Sequence, residues 1–183
     1  MILRARGFTL IELLIAVAIA VLLLLLAGPS YVEFINNSRI RNAAEAMLNG
    51  VRLAQTTAVK ANSQAELIVN PASGWTIQYV NPDVSVSVPV PPAPYVLLDA
   101  TGTQVVPWPA TATQVTFDGF GRIVPNADAS QTISCISVSS GNISSPRNLN
   151  VIISNSGLSA GTKLCDPLAA PTEPQACPAG ACS

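Results

Sequence analysis

The sequence predicts an α+β chain: a long N-terminal α-helix, its first half transmembrane and its second half amphipathic, packed on an antiparallel β-sheet domain. Three observations carry this. Leu13 to Ala27 is an unbroken apolar run. Ile40, Ala44, Met47, Val51, Ala54 and Ala58 then recur at alternating steps of four and three, with Arg39, Arg41, Glu45, Arg52, Gln55 and Lys60 largely off that stripe. From Ala65 the period drops to two and the residues become β-branched.

The chain has 183 residues, enough for one ordinary domain plus an appendage. Extended back to Phe8, the apolar run reaches about 20 residues, or roughly 30 Å of helix, the thickness of a bilayer core. A removable secretory signal is the competing reading of this segment. "MILRARG" supplies the cationic start, but the run is longer than a usual signal and "AGPSY" is a weak cleavage site. Gly28 and Pro29 should break or bend the helix, because Pro29 lacks the N–H owed to the carbonyl four residues back. The amphipathic helix then occupies 29–62, with Gly50 inside it at a cost of about 1 kcal/mol relative to alanine.

A β-rich domain is expected over 63–166. "AELIVN" and "GWTIQYV" flank a "PAS" turn and form a hairpin, and "DVSVSVPV" alternates Val84, Val86, Val88 and Val90. "PPAPY", with Pro107 and Pro109 further on, marks a loop or an edge strand. "TQVTFDGFGRIVP" makes a second hairpin around Asp118 and Gly119, "QTISCISVS" another strand, and "RNLNVIISNSGLSAGTKLC" a third hairpin turning near Asn155 to Gly161. The tail, 167–183, has too little apolar content to form an element.

Charge and chemistry narrow the function classes. Nine Lys and Arg stand against ten Asp and Glu, and beyond Ala61 the only cations are Arg122, Arg147 and Lys163. A basic groove for nucleic acid needs more, so nucleic acid is not an expected partner. The chain has no histidine, no G-x-S-x-G, no phosphate loop and no metal-ligand cluster, so no catalytic residue, cofactor or metal is expected. Asp118 and Asp128 read as turn residues, and Trp75, Tyr79 and Trp108 as core or cross-strand packing. Cys135, Cys165, Cys177 and Cys182 all lie beyond the apolar run, where an oxidising compartment favours disulfides. Four cysteines permit three connectivities. With Cys135 and Cys165 placed in neighbouring strands, the expected set is 135–165 together with 177–182, which closes a short loop through "PAGA". Arg4 and Arg6 before the run and Arg39 and Arg41 after it leave the positive-inside rule almost balanced. The cysteines favour a cytoplasmic N-terminus.

Glu12 is the anomaly. It stands near one end of the apolar run, and only the Thr9 hydroxyl of its own helix can reach it. A carboxylate in a span costs up to about 2.5–3.5 kcal/mol at mid-helix and less near an end, so a partner should come from elsewhere. "RGFTLIELL" resembles the signal of type IV prepilins: a short basic leader ending in glycine, then phenylalanine, then glutamate at the fifth mature position. Pro29 falls where pilins commonly carry proline. The resemblance implies a leader over 1–7, a cut between Gly7 and Phe8 by a membrane peptidase that also methylates the Phe8 amine, and a filament-core helix over 8–28. Glu12 would then dock against the Phe8 ammonium of a neighbouring subunit. Residues 113 to 165 are similar, more loosely, to the FimT, FimU and GspH group of minor pilins and pseudopilins.

The implied function is a structural subunit, not an enzyme, that helps start or cap a type IV pilus or a type II secretion pseudopilus. Its implied partners are other pilins or pseudopilins, the prepilin peptidase and the inner-membrane assembly machinery. Its implied place is the inner membrane, crossed once, with the globular domain periplasmic, and later the filament. Two alternatives stay open. One is a DNA-binding competence minor pilin, although "GLSAGTK" offers Lys163 alone where uptake pilins carry Gly-Arg-x-Arg. The other is a single-span envelope protein whose binding domain takes an unknown ligand.

Overall fold

The structure is a computed structural model that describes residues 8–70, 74–80, 87–89, 102–141, 146–155 and 160–182, with the backbone alone at 25–30 and 87–89. The leader expected over 1–7 and the "PPAPY" loop lie outside the described residues, and the strand expected in "DVSVSVPV" is described only at Ser87–Pro89. The chain divides into two compact units, Met1–Ile35 and Asn36–Ser183.

Helix α1 runs from Leu10 to Ala61. Of the break or bend expected at Gly28 and Pro29, the break is not formed, for the helical backbone continues through both. A proline inside a helix removes one donor, and the remaining ladder on either side carries the helix past it. In the first unit the large apolar side chains from Leu10 to Leu24 are exposed. Among the described residues no helix is long and apolar enough to cross a membrane. The side chains of the apolar run are described as far as Leu24, ahead of 25–30.

The second unit holds the core. α1 ends where Asn62 turns to a positive φ of 47°, the Ser63 N–H reaching the Ala58 carbonyl (3.1 Å) and the Asn62 N–H that of Val59 (3.2 Å). This closure satisfies carbonyls the helix would otherwise leave open, and asparagine tolerates the left-handed conformation it needs. Among the described residues nine strands follow: β1 (Gln64–Asn70), β2 (Gly74–Val80), β3 (Ser87–Pro89), β4 (Thr103–Trp108), β5 (Gln114–Phe117), β6 (Ile123–Val124), β7 (Cys135–Ser140), β8 (Leu149–Asn155) and β9 (Ala160–Cys165). They form two sheets rather than one, in the orders β3-β2-β1-β5-β6 and β4-β7-β8-β9. Each named pairing is antiparallel, and the three expected hairpins are β1–β2, β5–β6 and β8–β9. β4, which contains Pro107, is an edge strand, the place where a missing N–H costs least.

Both sheets close on one stripe of α1. Ile40, Ala44, Met47, Val51, Ala54 and Ala58 are buried with Leu67, Ile77, Val115 and Phe117 of the first sheet and Val105, Ile136, Val138, Val151 and Ile153 of the second. Gln55 fastens the seam between the sheets: its Nε2 donates to the Gly121 carbonyl beyond β5 (3.0 Å) and to the Ala160 carbonyl of β9 (3.1 Å). The Ala160 N–H also donates to the Gly121 carbonyl (2.9 Å).

Gly50 is required by contact. A Cβ there would meet the Trp75 indole at 2.6 Å, and that ring is 3% exposed with its Nε1 donating to the Ala46 carbonyl (3.2 Å). Gly50→Ala gains about 1 kcal/mol of helix propensity but forces overpacking worth about 1–3 kcal/mol. The expected result is net destabilisation, read as a lower urea midpoint for a chain beginning at Asn36. An unchanged or raised midpoint would show that the indole can move aside.

Candidate functional site

Three features carry the chemistry that the sequence marks out. In the first unit, Thr9 and Glu12 form a capping box at the start of α1. The Thr9 backbone N–H (3.2 Å) and hydroxyl (3.1 Å) both donate to Glu12 Oε2, and the Glu12 N–H donates back to Thr9 Oγ1 (3.3 Å). The first turn closes with the Leu13 N–H on the Thr9 carbonyl (3.2 Å). Thr9 is therefore the N-cap and Glu12 the third residue of the helix, where a carboxylate also meets the positive end of the helix dipole. Both contacts use Oε2, leaving Oε1 open among the described residues. Phe8, just outside the cap, is 85% exposed, and Gly7 lies outside the described residues. The T-x-x-E spacing was visible in the sequence but is easily passed over when Glu12 is considered only as a charge in an apolar run.

The β5–β6 turn is the second feature. Asp118 Oδ1 accepts the N–H groups of Phe120 and Arg122, both at 2.9 Å, and Oδ2 takes Arg122 Nη2 at 2.7 Å. Partial burial pushes the Asp118 carboxyl up, but the N–H and guanidinium of Arg122, the N–H of Phe120 and the Arg122 charge together hold it below its ordinary 3.8. Asp128 is held down likewise, by the Ser130 hydroxyl and N–H and by Gln114. Both aspartates are turn residues.

The tail is the third feature, and here the expected disulfides are wrong. The bonds are Cys135–Cys182 and Cys165–Cys177, with Cα–Cα distances of 5.4 and 5.0 Å. Cys135 and Cys165 are not in neighbouring strands, because β8 lies between β7 and β9, with Cys135 opposite Ile152 and Cys165 opposite Asn150. Two strand spacings are about 9.6 Å, beyond the ~7 Å a disulfide can span.

The same register puts Cys135, Ile152, Asn150 and Cys165 on one face of the sheet, and Ile136, Val151 and Leu164 on the face that meets the core. The tail thus lies over the outer face. It is tied there by both disulfides, by Lys163 Nζ on the Ala176 carbonyl (2.9 Å) and by the Asp166 N–H on the Gln175 carbonyl (2.7 Å). Arg147 Nε contacts Asp166 Oδ2 at 3.1 Å, and the Arg147 N–H donates to Asn37 of α1 (3.1 Å). Asn150, 5% exposed, keeps an Oδ1 without a partner among the described residues.

A methylation motif ahead of a long helix, and that helix's inner stripe closed by antiparallel sheets, define a type IV pilin-like protein. The prokaryotic N-terminal methylation motif matches residues 2–28, and the model of the type II transport protein GspH matches residues 43–157. The latter covers more than half of the chain, and the chain belongs to the GspH family. Among solved structures it is similar to the type IV minor pilin FimU of Pseudomonas aeruginosa, with 19% identity, a TM-score of 0.53, and 76% of this chain and 97% of that one covered. It is also similar to E. coli GspH, with 16% identity, a TM-score of 0.49, and 70% of this chain and 89% of that one covered. No curated protein sequence matches the chain. The chain is accordingly a structural minor pilin or pseudopilin.

Two predictions follow from this geometry. By the chain-entropy model, a loop with a sequence separation of 47 contributes about 4 kcal/mol and one of 12 about 3 kcal/mol. Replacing Cys135 and Cys182 by serine should lower the melting temperature more than replacing Cys165 and Cys177, and peptide mapping should recover these two pairs. Recovery of a 135–165 peptide would mean that β8 is not between them.

The second concerns acid. A depressed folded-state carboxyl contributes stability that is present above its ordinary value and lost as pH falls through the folded value. The urea midpoint should therefore decline as pH drops below about 3.8, and Asp118→Asn should flatten that decline while lowering the midpoint at neutral pH. An acid limb as steep in Asp118→Asn as in the parent chain would remove Asp118 from the account.

Proposed function

We propose that this protein is stored in the inner membrane by its N-terminal helix, with the globular unit periplasmic, and enters a type IV pilus or type II secretion pseudopilus, where it helps start or cap the filament. The reading begins with a prepilin peptidase that cuts between Gly7 and Phe8 and methylates the new amine. The observation that carries it is the Glu12 carboxylate. The cap occupies Oε2 and leaves Oε1 open among the described residues, so the side chain is oriented by the cap while keeping an acceptor for a cation that its own α1 cannot supply before Arg39. The methylated Phe8 ammonium of a neighbour is such a cation. The apolar side chains exposed on α1 from Leu10 to Leu24 would lie in lipid before assembly and against other subunits' helices after it.

Nucleic acid has no part in this reading. Beyond Ala61, Arg122 and Arg147 are paired with Asp118 and Asp166, and Lys163 is held by the Ala176 carbonyl, so phosphate contacts from these three would have to displace existing ones.

Mass spectrometry of the protein from its own host tests the processing: the expected mature N-terminus is methylated Phe8, and an intact Met1 terminus would overturn the reading. Glu12→Ala should remain in the membrane, because removing a carboxylate favours insertion, and should be lost from the filament fraction. Normal incorporation of that variant would count against docking through Glu12.

A further inference from the structure

The apolar character of α1 does not stop where its aliphatic run does. Between Leu10 and Ile35 the sequence carries two charges, Glu12 near the start and Glu33 near the end, and it turns polar at once in Asn36-Asn37-Ser38-Arg39. Just before that change stand Tyr31 and Phe34, 66% and 68% exposed. Three residues apart on a helix, they are neighbours on one face, and Glu33 lies well off it. In the second unit the large aromatics Trp75 and Phe117 are buried in the core. The pair on the first unit has no such cover.

The length of the helix says what covers them. At about 1.5 Å per residue, Tyr31 is about 35 Å and Phe34 about 39 Å along the axis from Phe8, and the uninterrupted helix from Leu10 to Ala61 keeps that count unbroken at Gly28 and Pro29. The usual tilt of about 20° brings these to about 32 and 37 Å of depth. A hydrocarbon core is about 30 Å thick, and the bilayer with its headgroup layers about 40–45 Å. With Phe8 at one edge of the core, both rings fall in the headgroup layer beyond the other edge. That layer suits them: a ring there leaves water while the Tyr31 hydroxyl stays within reach of hydrogen-bonding groups, which is why aromatic residues gather at membrane interfaces. Glu33 at the same level escapes the penalty a carboxylate meets in hydrocarbon.

We propose that Tyr31 and Phe34 form an aromatic anchor in the glycerol and phosphate layer of the periplasmic leaflet and fix how deeply the stored subunit sits. The partner is the phospholipid headgroup layer itself. The proposal rests on the membrane storage proposed above and adds to it a depth and the residues that set it.

The test uses the full chain, purified from its host membranes and reconstituted into vesicles of phosphatidylethanolamine and phosphatidylglycerol. The vesicles also hold phosphatidylcholine brominated either high on its acyl chains or near their ends. Tryptophan is placed at Ile19, near the middle of the run, or at Phe34, and quenching is read above the background that Trp75 and Trp108 give in the parent chain. Ile19→Trp should be quenched more by the chain-end bromines and Phe34→Trp more by the shallow ones. If Ile19→Trp behaves so while Phe34→Trp is quenched by neither, or more by the deep bromines, the anchor alone is overturned. If Ile19→Trp is quenched by neither, the membrane reading falls and the anchor with it. Adding Tyr31→Ser and Phe34→Ser to the Ile19→Trp chain should shift the ratio of deep to shallow quenching, because the helix has lost its stop. The melting temperature of the globular unit should stay as in the parent, since neither ring belongs to its core. An unchanged quenching ratio would overturn the proposal.

Discussion

One narrow stripe of α1 has to serve as the inner wall for two sheets, and most of the globular unit follows from that constraint. Ala43, Ala44, Ala54 and Ala58 keep the stripe thin, so strands from both sheets can approach the same turns. Gly50 goes further and removes the side chain altogether where the Trp75 indole lies across the helix. A small residue in a helix is usually described by what it loses in propensity. Here the loss is offset by the apolar area that a closely seated indole keeps from water. Gln55 shows the polar side of the same arrangement. It is one side chain on the shared helix, bonded at once to the turn of one sheet and the edge strand of the other.

The second sheet is covered on both faces by different means. Its inner face carries aliphatic residues into the core, whereas its outer face, with Cys135, Asn150 and Cys165, lies under a tail that has few apolar side chains. Leu168 is exposed and Ala176 is the tail's buried apolar residue among those described. Covalent bonds and a few backbone contacts do there what packing does on the other side. A segment that could not hold itself in place by burial is held by two sulfur bridges, and beneath it Asn150 Oδ1 has no partner among the described residues.

Much of this was legible in the sequence, and the rest was not for identifiable reasons. The helix stripe and the three hairpins are local patterns whose periods and turn residues lie within a dozen or so positions, and the structure has them. The split into two sheets depends on β1 taking β5 as a neighbour and on β4 taking β7, choices made across long intervals of chain that no local period records. The cysteine pairing failed for a related reason. Sequence order makes the strands of Cys135 and Cys165 look adjacent, whereas the β8–β9 hairpin itself inserts β8 between the two cysteines. Gly28 and Pro29 read locally as a break or bend, but one missing N–H leaves the rest of a long ladder intact and the helix assignment unbroken. At the N-terminus the spacing of Thr9 and Glu12 was readable as a cap, and it explains how Glu12 is oriented without a charge partner. The tip built around Phe120 was visible only as a turn; that helix residues Asn62, Val59 and Gln55 support it could not be inferred from the turn's own sequence.

The position of β8 also decides which cysteines the finished sheet allows to join. As the chain emerges N-terminus first, Cys165 is the first partner that Cys135 can meet, and Cys177 and Cys182 follow later. A bond made at that moment would be the wrong one, and it would keep β8 from its place between β7 and β9. Once β8 is seated, the two thiols are too far apart to join, and only the tail can reach them. A 135–165 bond and a seated β8 are therefore mutually exclusive, and the strand order itself leaves the tail cysteines as the partners for both sheet cysteines.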